Sequence, residues 1–244
     1  MLVFKCPAAV MAFALASSGV ALAADGAPAT TPGHFRIQTP QAAELTCGRG
    51  NVLRIPAHDE GDTPSPQRFS YPPEHDPGNG IFGGRKNNAE RMLEYLPPKV
   101  LAALTALSAA LMHNGRLAPE LRELAIVRVG YLSGSLYEAN QHGSLALSLG
   151  VPRNKLENMA CSSPKGLSPV EGPAIGFVDE LVRQAHPSDV ALASVRKQFD
   201  DPEILELVMV TGQWMMAARL LETTGVPMDD VAIGDNGVPE GFKR

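Results

Sequence analysis

Residues 119–150 read PELRELAIVRVGYLSGSLYEANQHGSLALSLG, and this stretch leaves the chain few ways to fold. Apolar residues recur at helical spacing on both sides of Ser133-Gly134-Ser135, which predicts two helices joined by a tight turn. Leu121, Leu124, Ala125, Val127 and Val129 need an apolar partner, and Leu136, Leu145 and Leu147 on the second helix offer one, so the hairpin is expected to fold back on itself. Closure has a chemical consequence. Glu138 and His142 stand four residues apart on one helical face, with Cβ atoms about 6 Å apart, and the fold-back brings Glu123 towards them.

The flanking pattern is also helical. A short amphipathic turn is predicted over 90–95. A helix follows over 99–112, where Val100, Leu101, Leu104, Leu107, Ala110 and Leu111 form a buried stripe. Gly115 suits a C-cap, and Pro119 suits the first turn of the next helix. Gly150 ends the helix that carries His142, and Pro152 starts another reaching about Met159. Further helices are expected over 173–185 and 188–199. The pair Asp201-Pro202 reads as the N-cap and first residue of a long apolar helix over 202–223, closed by Gly225. Met209, Met215 and Met216 on that helix read as core or interface packing. Aromatics make up only 5% of the chain, while Ala and Leu are plentiful, which favours helix packed on helix.

The first 23 residues read as an address. Lys5 and the amino terminus supply positive charge, 8–22 form a mostly apolar run too short to span a bilayer comfortably, and Ala21-Leu22-Ala23 is a small-x-small cleavage site. A periplasmic or secreted chain starting near Ala24 is expected, with no membrane anchor after cleavage. Its formal charge of −5 becomes about −6 without Lys5, so there is no overall electrostatic reason to bind nucleic acid or an anionic membrane. About 220 residues at 44% hydrophobic composition suit one domain with an extension, or two small domains. Cys47 and Cys161 remain and can pair in an oxidising compartment or stay free, and they lack the Cys-x-x-Cys spacing of a redox dithiol. Residues 24–85 form a Pro/Gly-rich arm, marked by Asp76-Pro77, Gly78-Asn79 and Gly83-Gly84, with a short strand possible over 51–55. His58, Asp59, Glu60, His75 and Asp76 resemble loose metal ligands, but loop composition explains them more cheaply and no metal site is assigned. Residues 231–244 form a tail.

Four blocks carry a resemblance: the run from Arg116 to Ile126, RLAPELRELAI; Tyr137-Glu138 with His142; Gly150-Val151; and the ending from Glu206-Leu207-Val208 to Gly225-Val226-Pro227. Through them residues 86–230 resemble the carboxymuconolactone decarboxylase family, part of the alkylhydroperoxidase D-like superfamily. The resemblance implies an all-α, alkylhydroperoxidase D-like helical bundle with an irregular N-terminal arm. It also implies a homo-oligomer, a trimer or hexamer, whose neighbouring helices complete the pocket. Peroxidase-type members carry a glutamate, a Cys-x-x-Cys pair and a histidine in sequence. Here Glu123 and His142 match the glutamate and histidine by spacing, while Ser135 and Glu138 stand where the thiols would be. That departure removes the redox centre and resembles the decarboxylase-type branch, with acid/base chemistry.

Two carboxylates beside one imidazole favour its protonated form, and burial raises the pKa of the carboxylate that is worse solvated. Such a cluster passes protons near neutral pH without a cofactor. The expected substrate is a small carboxylated lactone or related organic acid, whose loss of carbon dioxide needs a proton delivered at carbon. His142 is assigned as proton donor or acceptor, Glu138 as its partner or as the base itself, and Glu123 as the carboxylate that fixes the tautomer. Arg128 or Arg122 is expected to meet a substrate carboxylate, and Tyr131, Tyr137 or Trp214 to line the pocket. An isomerase of similar substrates, a peroxidase-like redox protein and a non-catalytic helical assembly are the alternatives. Plainer explanations exist for single residues. Ser135-x-x-Glu138 is also a capping box, Arg122 can simply pair with a neighbouring acid, and His113 and His186 mark helix ends.

Overall fold

The structure, a computed structural model, describes residues 40–53, 86–230 and 232–233. The signal peptide expected over 1–23, most of the arm with its His58, Asp59, Glu60, His75 and Asp76, and most of the tail lie outside the described residues. Among the described residues nine helices follow in order: α1 Pro40–Cys47, α2 Asn88–Leu93, α3 Pro98–His113, α4 Pro119–Ser133, α5 Leu136–Ser148, α6 Arg153–Asn158, α7 Glu171–Arg183, α8 Asp189–Val195 and α9 Asp201–Thr224. The fold is all-α, and the pairing expected over 51–55 is reduced to an isolated antiparallel bridge between Val52 and Cys161.

α4 is the axis of the fold. Pro119 fits its first turn, and Gly134 ends it in the left-handed region at φ 73°, where a side chain would be strained. Every residue from Leu121 to Tyr131 is buried, because α5, α7 and α9 all pack against this helix. The sequence offered α4 one apolar partner, α5, whereas the helix is enclosed all round. Its charged residues Arg122, Glu123 and Arg128 therefore need partners inside the protein.

The α4–α5 hairpin closes as the sequence predicts, and Gly130 sets how closely. A Cβ there would stand 2.8 Å from the Ala139 amide nitrogen and 3.2 Å from Glu138 Cβ. Gly130→Ala must therefore push α5 away. Overpacking of this kind costs about 1–3 kcal/mol, and the better helix propensity of Ala returns about 1 kcal/mol. A lower urea midpoint is expected, and an unchanged one would mean that the helices are not in such close contact.

α9 starts one residue earlier than Asp201-Pro202 suggests. Asp200 is the cap: its Oδ1 accepts from the Glu203 amide at 3.0 Å while Glu203 Oε2 accepts from the Asp200 amide at 2.9 Å. Glu203 at the third helical position completes this box, which leaves Asp201 and Pro202 inside the first turn. By length and composition α9 is apolar enough to cross a membrane, yet its buried side, including Ile204, Leu207, Val210, Trp214 and Ala218, packs in this fold against α4, α5 and α7. Met215 packs on the core, whereas Met209 and Met216 lie exposed beside Leu205 and Val208.

Cys47 and Cys161 form a disulfide across 114 residues, which resolves the alternative that the sequence leaves open. By the chain-entropy argument a loop of that length contributes about 4–5 kcal/mol. Next to it the Leu53 amide donates to Ala160 O at 2.9 Å and the Ser162 amide to Asn51 O at 2.7 Å. The first described part of the arm is thus a short helix and an extended segment held on the chain just after α6.

Candidate active site

A cavity of about 110 Å³ lies between α2, α3, α5 and α9. Leu93, Leu104, Leu220 and Ile233 supply apolar wall, and Glu138, His142 and Trp214 form its chemically distinctive side. Their positions follow from the helices. Glu138 and His142 share a face of α5, α4 places Glu123 behind the imidazole, and α9 brings Trp214 across from the far end of the chain.

His142 Nδ1 lies 2.7 Å from Glu123 Oε2, and Glu123 Oε1 accepts from Arg122 Nε at 3.0 Å. On the other side of the ring, Trp214 Nε1 donates to His142 Nε2 at 2.7 Å, with the two rings perpendicular at 5.3 Å between centroids. An indole N–H can only donate, so Nε2 presents its lone pair and the ring proton resides on Nδ1, directed at Glu123. This geometry holds one imidazole tautomer from both sides.

Glu138 Oε2 is 3.5 Å from His142 Nε2, close enough for electrostatic coupling but longer than a formed hydrogen bond. Burial pushes the Glu138 carboxyl up to about 7 from its ordinary 4.5, and the charges of Glu123 and Glu222 add to the rise; a positive charge on His142, present only when its ring is protonated, opposes it. Among the described residues Glu138 has no hydrogen-bond partner of its own. Ser135 occupies the N-cap of α5, yet its side chain bonds no helix amide, so the capping box that the sequence permits is not formed. Glu138 is left facing the cavity.

The other expected site residues divide clearly. Tyr137 lines the cavity, with its hydroxyl donating to Asp229 and accepting from the Ala89 amide. Arg122 is buried against Glu123, the pairing with a neighbouring acid weighed from the sequence, and is not a wall residue. Arg128 corrects the expectation most sharply. It is fully buried, with Nε and Nη2 bonded to the two Asp179 oxygens at 2.6 and 2.7 Å, and Nη1 bonded to the carbonyls of Met159 and Cys161 at 2.6 Å each. It is a structural clip and does not reach the cavity. Tyr131 is buried in the core, where burial and then the charge of Glu157 hold its hydroxyl above the usual range; it is not a wall residue either. Among the described residues no group of three or more His, Cys, Asp and Glu side chains is arranged to hold a metal ion.

The sequence reading missed Gln141 and Asp229. Gln141 Nε2 donates to Asp229 Oδ2 at 2.7 Å, its Oε1 accepts from the Ile233 amide at 2.7 Å, and Asp229 Oδ1 accepts from the Asn88 amide at 2.9 Å. Burial raises the Asp229 carboxyl above its usual range. These bonds fasten the segment after α9 against the cavity. Gln141 was findable, since it lies three residues after Glu138 on the same helix. Asp229 gave no local signal.

The arrangement defines an all-helical protein with a buried Glu–His–Trp cluster beside a small cavity. The model of the carboxymuconolactone decarboxylase family matches residues 98–161, so over that segment, α3 to the end of α6, the resemblance read from the sequence is a family match; it includes Glu123, Glu138 and His142. The fold is that of alkylhydroperoxidase D-like proteins. A peroxidase-related protein from Silicibacter aligns with a TM-score of 0.52 at 22% identity, over 55% of this chain and 72% of its own. An Agrobacterium tumefaciens protein of unknown function, connected by its description with the antioxidant defence protein AhpD, aligns at 0.51 with 17% identity, over 55% of this chain and 94% of its own. The alkylhydroperoxidase AhpD core of a Ralstonia eutropha peroxidase-related protein aligns at 0.50 with 22% identity, over 55% and 72%. No curated protein matches the chain.

Proposed function

We propose that this cavity is the active site of a cofactor-independent enzyme, a lyase or isomerase that moves a proton on a small organic molecule, with Glu138 as the proton carrier. The observation that carries the reading is a buried, otherwise unbonded carboxyl that faces the cavity, where burial pushes its pKa up to about 7. A group poised there is populated in both protonation states at neutral pH, which suits general acid and base work. As base, Glu138 takes the proton from a carbon next to a carbonyl, leaving an enolate and a neutral carboxyl. As acid it returns a proton to carbon.

His142 takes a different part from the one its sequence position suggests. Its Nε2 lone pair is held by Trp214 and its Nδ1 proton by Glu123, so it positions and polarises the site while Glu138 meets the substrate. Decarboxylation is the most specific version, since the carbanion left by carbon dioxide needs the same proton, and the family's name supports it. A thiol-dependent peroxidase reading has less support, because Cys47 and Cys161 are bonded to each other and neither lines the cavity. The test is carbon-acid exchange. Incubated in deuterium oxide with a panel of small ketones and lactones, the protein is expected to catalyse deuterium entry at the α-carbon, read by mass spectrometry. No exchange above the buffer rate across pH 6–8 would remove the proposal.

Two further readings belong with this one. Leu205, Met209 and Met216 on α9 and Val100 on α3 are exposed, and of the sixteen residues of α3 only Leu111 and Met112 are buried, so the stripe expected to be buried from Val100 to Leu111 is covered only at its end within this chain. This exposed apolar surface, which a second copy would cover, supports a homo-oligomer, a trimer or hexamer, as the functional form. The disulfide supports a periplasmic or secreted location.

A further inference from the structure

We propose that the cavity selects an uncharged molecule the size of one small ring and discriminates against carboxylates. This rests on reading the cavity as the active site, and it departs from the carboxylated substrate that the family resemblance implies. The size follows from the free volume of about 110 Å³, since a cavity of about 150 Å³ holds benzene. A five- or six-membered ring without large substituents fills it.

The charge preference follows from where the ionic groups stand. The charged side chains that this chain itself brings to the described wall are acids, Glu138 and Glu90, and Glu123 lies directly behind His142. The two arginines suited to answer a carboxylate are committed elsewhere, Arg128 to Asp179 and two carbonyls, Arg122 to Glu123. An anion entering this space gives up its hydration and meets like charge at short range.

Two of the neutral polar side chains on the wall are already engaged in the protein. Gln141 uses both ends on Asp229 and the Ile233 amide, and Gln213 Nε2 donates to Ser108 Oγ at 3.0 Å. Glu138 remains to meet the ligand. Protonated, it donates one hydrogen bond to a carbonyl; ionised, it accepts one or removes a proton. A cyclic ketone or an uncarboxylated lactone therefore matches both the apolar wall and the Glu138 carboxyl. Such substrates favour the isomerase version of the proposed function, proton transfer without release of carbon dioxide, over its decarboxylase version.

Calorimetric titration of the full chain with cyclopentanone and with cyclopentanecarboxylate at pH 8 tests this. Trp214 is the only tryptophan in the sequence, so its emission gives an independent signal from the site. Cyclopentanone is expected to bind with a Kd in about the millimolar range, as suits six heavy atoms, and the carboxylate about tenfold more weakly or worse. Glu138→Gln is expected to narrow that gap, because it removes the nearest like charge. Equal or tighter binding of the carboxylate, or binding of neither ring, overturns the proposal. Deuterium entry into cyclopentanone separates the two claims. Exchange together with carboxylate preference sinks the ligand class and leaves the proton-transfer reading standing, whereas neutral-ring binding without exchange does the reverse.

Discussion

Replacing Glu138 with glutamine is expected to lower turnover about 10²- to 10⁴-fold, the usual contribution of a positioned acid or base, while the helical fold is retained. Glutamine keeps the size of the side chain and cannot carry the proton. The same change should alter how stability depends on pH. The wild-type carboxyl titrates at about 7 in the folded chain against an ordinary 4.5. Below 4.5 it is neutral in both states; between 4.5 and 7 only the folded chain holds the proton. Its contribution is therefore fully present at low pH and is lost as pH rises through that window, by about 3 kcal/mol in all. Glu138→Gln removes this loss. Urea unfolding should find the variant close to wild type at pH 4.5 and more stable by about that amount at pH 8. Parallel pH curves for the two proteins would contradict the assignment.

Arg128→Met is expected to be among the most damaging single changes to the fold. It removes a wholly buried guanidinium that makes paired bonds to Asp179 and holds the carbonyls of Met159 and Cys161. Methionine fills most of the space but leaves Asp179 without its principal cation and two carbonyls unbonded, a loss of about 3–5 kcal/mol. Arg128→Met combined with Asp179→Leu should recover part of it, because both halves of the charge pair are then gone. Urea midpoints of the two variants measure this. A single-variant loss below about 1 kcal/mol would mean that the clip is not structural.

The α4–α5 hairpin and the Glu123–His142 contact were legible because both follow from local rules. Helical apolar spacing gives the two rods, Gly134 gives the reversal, and the fold-back then fixes which residues on α4 face His142. Trp214 was recognisable only as a candidate wall residue. Its bond to His142 Nε2 spans 72 positions, and packing of α9 alone decides it. Arg128 was misread for a related reason. A cation in an apolar helix looks like a group kept for a ligand, and nothing local marks Asp179, 51 positions away on α7, as its partner. Ser135 shows the converse, since a local capping rule matched the sequence while tertiary packing turned Glu138 towards the cavity. The early start of α9 was a matter of which acid the box at Glu203 recruits, a choice that Asp200 and Asp201 leave open.

The measurement that bears most directly on the whole account is a titration of the Glu138 side-chain carboxyl, followed by its ¹³C resonance in the folded protein and assigned by its loss in Glu138→Gln. The account predicts a midpoint near 7. A midpoint near the ordinary 4.5 would leave the cavity with a permanently ionised carboxylate at neutral pH and would contradict Glu138 as the proton carrier.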